Sequence, residues 1–122
     1  MFNRVFKSFA KTFKYQHSDM EDLEAKLKQF SAQDKGILIV TDGVFSMEGE
    51  ICKLPEIVEL GKKYGARIMV DDAHSLGVLG VGGRGTASHF GLVDEVDIIM
   101  NTFSKTLASL GGCMVASEEV VS

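Results

Sequence analysis

DIIMNTFSKTLASLGG, residues 97–112, decides the fold. It opens on the apolar run Ile98-Ile99-Met100 and turns polar and small at Asn101, Thr102 and Ser104. It carries one lysine, Lys105, at its centre and closes on Leu110-Gly111-Gly112. Such an apolar run ahead of turn residues is the pattern of a buried strand. In an open α/β sheet, ligands sit beyond the carboxyl ends of the strands. A lysine desolvated there loses its proton more easily and becomes a nucleophilic amine, the group a Schiff base needs. Thr102 and Ser104 beside it can donate hydrogen bonds to an anion. The plain alternative is a solvated loop lysine, because buried lysines are uncommon.

Working outward, two more apolar runs resemble the first. Gly36 to Val40 reads as a buried strand ending in the turn signal Thr41-Asp42-Gly43, and Arg67 to Val70 as another ending in Asp71-Asp72-Ala73-His74. Val96 to Met100 continues the set, and Cys113 to Ala116 makes a last short strand. Between them lie helical patterns. Ser18 or Asp19 can cap one with the acidic first turn Glu21-Asp22 and the apolar face Leu23, Leu27, Phe30. Pro55 opens another, marked by Ile57, Val58, Leu60 and Tyr64 and stopped by Gly65. Thr86 can cap a short one through Phe90. Val44 to Cys52 reads as a loop. Strands alternating with helices at this spacing predict an α/β fold with a mainly parallel sheet and helices on both of its faces. If the strands are adjacent, three polar clusters meet at one sheet edge: Thr41 to Ser46, Asp71 to His74, and Thr102 to Lys105.

At 122 residues the chain fits one compact domain, and a net charge of −4 argues against general nucleic-acid binding. No apolar stretch reaches membrane-spanning length. Cys52 and Cys113 lack metal-type spacing and read as free thiols of a reducing compartment. The first fourteen residues hold four cations and no acid, with Phe2, Val5, Phe6, Phe9 and Phe13 at helical spacing. This is the look of a basic amphipathic presequence, set against an ordinary packed segment. The KTFKYQHSD stretch that follows alternates like a strand.

Asp71 and His74 leave a strand together. The carboxylate could hold a ring nitrogen protonated, and the imidazole could stack on an aromatic ligand. Equally, either aspartate could cap a turn and His74 could be structural. Asp71, Asp72 and His74 as metal ligands would need further His or Cys at useful spacing, which is lacking. Gly80 to Gly85 spells G-x-G-x-x-G, but Asp71 to Leu79 separate it from its strand, so it reads as a flexible loop and a false dinucleotide match. His17 and His89 carry no specific signal.

TDGVFSMEGE, MVDDAHSLGVLG with GGRG, and NTFSK followed by GG together resemble the α-oxoamine synthases. These are fold-type I, aminotransferase-like enzymes that use pyridoxal 5′-phosphate. The resemblance runs from about Phe9 to Ala116, and the wording SFAKTFKYQHSDMEDLE and FSKTLASLGG is most similar to the bacterial, soluble serine palmitoyltransferase branch. The 8-amino-7-oxononanoate synthase and glycine C-acetyltransferase branches are close alternatives. The resemblance implies the central part of an aspartate-aminotransferase-like large domain over residues 1–122, with the N-terminal part and the small C-terminal domain outside it.

The same resemblance implies the roles. Lys105 carries the cofactor as a Schiff base, Asp71 pairs with the pyridine nitrogen, and His74 lies near the ring's phenolic oxygen. Thr102 and Ser104 contact the phosphate, and Ser46 is a further cofactor contact. The implied reaction condenses an amino acid, serine favoured, with an acyl-CoA and releases coenzyme A and carbon dioxide. A homodimer in the full-length form, a cytoplasmic location, no nucleic acid and no membrane association go with it. The short chain alone is expected to be inactive, and the contrasting expectation is a non-catalytic fragment or interaction domain.

Overall fold

The computed structural model describes residues 10–33 and 35–121. In chain order the elements are helix α1 (Met20–Ser31), strands β1 (Leu38–Asp42), β2 (Val44–Phe45) and β3 (Glu50–Ile51), helix α2 (Leu54–Tyr64) and strand β4 (Arg67–Asp71). Then come the short helix α3 (Thr86–His89), strands β5 (Ile98–Thr102) and β6 (Gly112–Ala116), and the short helix α4 (Glu118–Val121). The main sheet has the order β1-β4-β5-β6. β1, β4 and β5 run parallel, and β6 returns antiparallel to β5. The α/β class and mainly parallel sheet expected from the sequence are what the chain adopts.

The helices form where their signals lie. Asp19 caps α1 by accepting from the Asp22 N–H at 3.0 Å. α2 has Pro55 in its first turn and ends on Gly65, left-handed at φ 65°. Leu23 and Leu27 of α1 and Leu54, Ile57 and Val58 of α2 pack with Ile39, Ile68, Val70, Cys52 and Ala87 into one core. Burial of each large aliphatic side chain there contributes about 1.5–3 kcal/mol. Gly61 lets α2 approach closely, since a β-carbon there would stand 2.9 Å from Ile68 Cδ1.

Helices were expected on both faces of the sheet. The core joins α1, α2 and α3 to one face only, the one carrying Ile39, Thr41, Ile68 and Val70. The strand order explains this. The steps from β1 to β4 and from β4 to β5 advance in the same direction, and crossovers of the near-universal right hand then place their helices on one side. Val40, Met69, Ile98 and Met100 point to the other face and are only half-buried, while Met114 there is exposed.

That one-sided cover also corrects the first strand. The sequence predicts a buried strand over 36–40, but the strand spans Leu38–Asp42 and alternates, with Leu38 47% exposed and Ile39 4%. Residues 11–19 form no strand. Phe13 instead stacks on Phe30 with centroids 4.1 Å apart, and Tyr15 packs on the core. The expected loop 44–52 contains the β2–β3 hairpin. Thr86 does not cap α3: Gly85 holds the cap position, and Thr86 is the first helical residue. The spacing read over Phe2 to Phe9 lies outside the described residues.

Candidate functional site

Register brings the strand ends together. Asp42 is the cross-strand partner of Asp71, and Asp71 of Met100. The Gly43 N–H donates to the Asp71 carbonyl (2.8 Å), and the Asp72 N–H donates to the Met100 carbonyl (2.8 Å). The carboxyl ends of β1, β4 and β5 are thereby stitched into one edge, from which Asp42, the 71–74 turn and the 103–111 loop all emerge.

Pleating separates the two aspartates that the sequence leaves as a pair. Successive residues of a strand face opposite sides. Asp71 shares the uncovered side with Asp42, is half-buried, and accepts the Ala73 N–H at 3.0 Å through Oδ1. Asp72 turns into the helix-covered side, 1% exposed. Its Oδ1 accepts from Ser75 Oγ (2.8 Å) and its Oδ2 from the Thr86 N–H (3.0 Å), while Thr86 Oγ1 donates to Ser75 Oγ (2.9 Å). Asp72 is therefore a structural anchor. Asp71 is the carboxylate that faces outward.

His74 is half-buried in the turn after β4. Thr102 ends β5 half-buried, and its hydroxyl lies 2.9 Å from that of Ser104, forming a hydroxyl pair at the mouth of the edge. Lys105 follows in a loop closed by Phe103 N–H to the Gly111 carbonyl (2.9 Å), Ala108 N–H to the Lys105 carbonyl (3.0 Å) and Ser109 N–H to the Phe103 carbonyl (2.8 Å). Lys105 is exposed, as in the solvated-loop alternative. Ser46 is exposed in the hairpin turn and makes no side-chain hydrogen bond among the described residues to the other five.

Electrostatics ties these groups into one neighbourhood through a residue the sequence reading took only as part of a turn signal and of the Thr41 to Ser46 cluster. Asp42 is partly buried, and that burial pushes its carboxyl above the ordinary value. The Asp71 carboxylate pushes it the same way, as does Glu48, while His74 and Lys105 pull it down. Asp42 thus feels Asp71, His74, Glu48 and Lys105 at once. Its signal was available in the sequence: Val40-Thr41-Asp42 and Met69-Val70-Asp71 end their strands alike. Chemically, the edge offers an amine, an imidazole, outward carboxylates and paired hydroxyls. Nearby, burial and the Asp72 charge push the Cys52 thiol up to about 12, which marks it as inert core rather than a nucleophile.

Comparison with known proteins gives the family. A family model described as aminotransferase class I and II matches residues 4–122. The chain is 59% identical over 114 residues to a serine palmitoyltransferase of Sphingobacterium spiritivorum, covering 93% of this chain and 28% of that protein. It is 53% identical over 116 residues to an 8-amino-7-oxononanoate synthase of Fervidobacterium nodosum, covering 93% and 29%. A solved structure of SPT with a PLP internal aldimine superposes with a TM-score of 0.84 at 38% identity, covering 89% of this chain and 27% of that one. The chain thus spans under a third of the length of the curated relatives it matches. Among the described residues, no helix is long and apolar enough to cross a membrane.

Proposed function

We propose a function from one premise: the chain belongs to the aminotransferase class I and II family. It is the lysine-bearing part of a pyridoxal-phosphate-dependent acyltransferase that condenses an amino acid with an acyl-CoA. Serine is the favoured amino acid, because an SPT structure superposes at a TM-score of 0.84 and 38% identity, against 0.75 and 28% for an 8-amino-7-oxononanoate synthase. The latter activity is the second reading, and its substantial identity keeps it in view. The single observation that supports the proposal most is that Asp71, His74 and Lys105 follow β4 and β5, whose carboxyl ends share one sheet edge.

The donor set fits the cofactor. Lys105 offers a primary amine for an aldehyde, and its stem is free to reach. Asp71 keeps one carboxylate oxygen beyond its bond to Ala73 and would hold a proton on a pyridine nitrogen. His74 would orient the ring from the adjoining turn. Thr102 and Ser104 would donate to the phosphate, and Ser46 would add a contact from the hairpin. When bound, pyridoxal phosphate supplies an electron sink for a carbanion beside the amino nitrogen. The Lys105 amine would also take and return the proton at the substrate's α-carbon. Such a carbanion would suit attack on an acyl-CoA thioester, with coenzyme A and carbon dioxide as the leaving products. A homodimer of the whole protein belongs to the same proposal.

The test is a cofactor trap. The chain is mixed with pyridoxal phosphate, reduced with borohydride and mapped by peptide. Label confined to Lys105, and lost in Lys105→Ala, is the expected result. Scattered label, or none, would leave a non-catalytic fragment as the reading. Turnover of serine with an acyl-CoA is expected only when the chain is set within the whole protein, and turnover by the 122-residue chain alone would refute that part.

A further inference from the structure

The glycine-rich loop after β4 has no task in the reading above, and as a dinucleotide motif it fails. Its packing gives it another. One end is fixed in the core by the buried Asp72, Ser75 and Thr86 network. Gly85 belongs to this anchor, since a β-carbon there would run into Asp72 Oδ2, and its φ is +100°. Above the anchor, Leu76 bridges to Arg84, and the Gly77 N–H donates to the Gly83 carbonyl at 2.7 Å. The two sides press backbone on backbone: a β-carbon on Gly83 would stand 2.8 Å from Gly77 Cα. The base of the loop, at Leu76 and Gly77, touches the lysine loop. Thr106 Oγ1 donates to the Leu76 carbonyl at 2.6 Å. The Thr106 methyl lies where a β-carbon on Gly77 would be, and Gly77 has φ +80°, so glycine is required there twice over.

We propose that Thr106 is a positioning residue, whose hydroxyl bond to Leu76 and methyl seat on Gly77 latch the lysine loop to the glycine-rich loop and so set where the Lys105 amine stands. The importance of that amine rests on the function proposed above; the latch itself needs no cofactor. Lys105 is exposed and has no ion pair among the described residues, so its side chain is not held by packing. Its position follows from its backbone. That backbone is closed on its own side by the Ala108 N–H to Lys105 carbonyl bond and is tied outward through Thr106. The glycine-rich loop thereby becomes a stiff strut from the Asp72 anchor to the residue next to Lys105.

The experiment is trace acetylation of the whole 122-residue chain without cofactor, reading the rate at Lys105 against the exposed Lys53 in the same sample. Thr106→Val removes the hydroxyl, and Thr106→Ser keeps it. In Thr106→Val the Lys105 to Lys53 ratio is expected to change by up to about fivefold, the factor one net hydrogen bond carries. In Thr106→Ser it is expected to stay within about twofold of the parent, because the bond is kept. Gly77→Ala strikes the same contact from the other side and must move the ratio in the same direction. Urea midpoints are measured in parallel; should Thr106→Val lose the fold, Gly77→Ala and Thr106→Ser decide. A ratio unchanged in Thr106→Val and Gly77→Ala, or changed equally in Thr106→Ser, overturns the latch. Borohydride trapping of pyridoxal phosphate on the parent separates the two readings. If it finds no selectivity for Lys105, the proposed function fails while the acetylation ratio still judges the latch.

Discussion

Replacing Asp72 by alanine removes the acceptor at the base of the glycine-rich loop and leaves two buried donors without partners. The Thr86 N–H and the Ser75 hydroxyl both lie in residues reported as 0% exposed, so water cannot take over. An orphaned buried donor costs about 1–3 kcal/mol. The alanine no longer buries a charge, which offsets part of the loss, while the emptied volume adds to it. The net expectation is a destabilisation of about 2–4 kcal/mol, a large share of a domain's usual 5–15 kcal/mol. Asp72→Asn should cost less. Its carbonyl can still accept from the Thr86 N–H, but its amide must then face Ser75 Oγ, which already accepts from Thr86 Oγ1, and the Ser75 hydroxyl proton loses its partner. The assay is urea unfolding followed by far-UV circular dichroism, with the change read from the midpoint at constant slope. The order expected is parent, then Asn, then Ala. If Asp72→Ala costs less than about 1 kcal/mol, the network is not an anchor and the reasoning from burial and orphaned donors is wrong.

Asp42 has a folded-state carboxyl raised above its unfolded value, chiefly by burial. Its protonated form is favoured on folding, so its contribution is present at acid pH and is lost as pH rises from the ordinary aspartate range through the raised value. Asp42→Asn should therefore stabilise the chain at neutral pH and flatten the curve in that window; a neutral-pH loss in urea unfolding would contradict this. Glu24 runs the other way. Hydrogen bonds from Lys63 and then Tyr64 lower its carboxyl from 4.5 to about 2, so its contribution is present above that unfolded value and fades as pH falls toward the folded one. A carboxyl carbon-13 titration should find Glu24 still ionised at pH 3 in the parent, with its midpoint rising in Lys63→Met. The thiols should separate sharply. Cys113 is exposed and should react quickly with a maleimide at pH 8, whereas Cys52 should react only after unfolding; two fast thiols in the native chain would refute its burial.

Much of the fold could be read before any coordinates, because its signals are local. The caps of α1 and α2, the apolar run of β4 and the strand ahead of Lys105 each depend on residues within a few positions of one another. What was missed depends on the third dimension. The one-sided helical cover follows from strand order, which no local pattern carries. The strand-like alternation over 11–19 lost to side-chain packing by Phe13 and Tyr15. At the site, Asp71, His74, Thr102, Ser104 and Lys105 were named from their place after strands, and they do lie along the stitched edge. Of the two readings of Lys105, the exposure fits the solvated loop lysine. Asp42 was read only as part of a turn signal and of the Thr41 to Ser46 cluster, although its strand ends as β4 does. The sorting of Asp71 from Asp72 needed the pleat, and the role of Thr106 needed Gly77, a neighbour 29 positions away by subtraction of the two residue numbers.

The strut that reaches Lys105 is built of the residues with most freedom to lose. Five glycines between Gly77 and Gly85 sit at positive φ, at positions 77, 80, 82, 83 and 85. Ordering backbone costs about 1–2 kcal/mol of entropy per residue near room temperature, and glycine lies at the costly end. That cost grows in proportion to absolute temperature, while the few hydrogen bonds opposing it do not grow. On warming, this loop should let go of Thr106 while the sheet beneath is still intact. The amine would then lose its fixed place some degrees below the temperature at which the protein melts, so heat would loosen the lysine loop before it destroyed the fold.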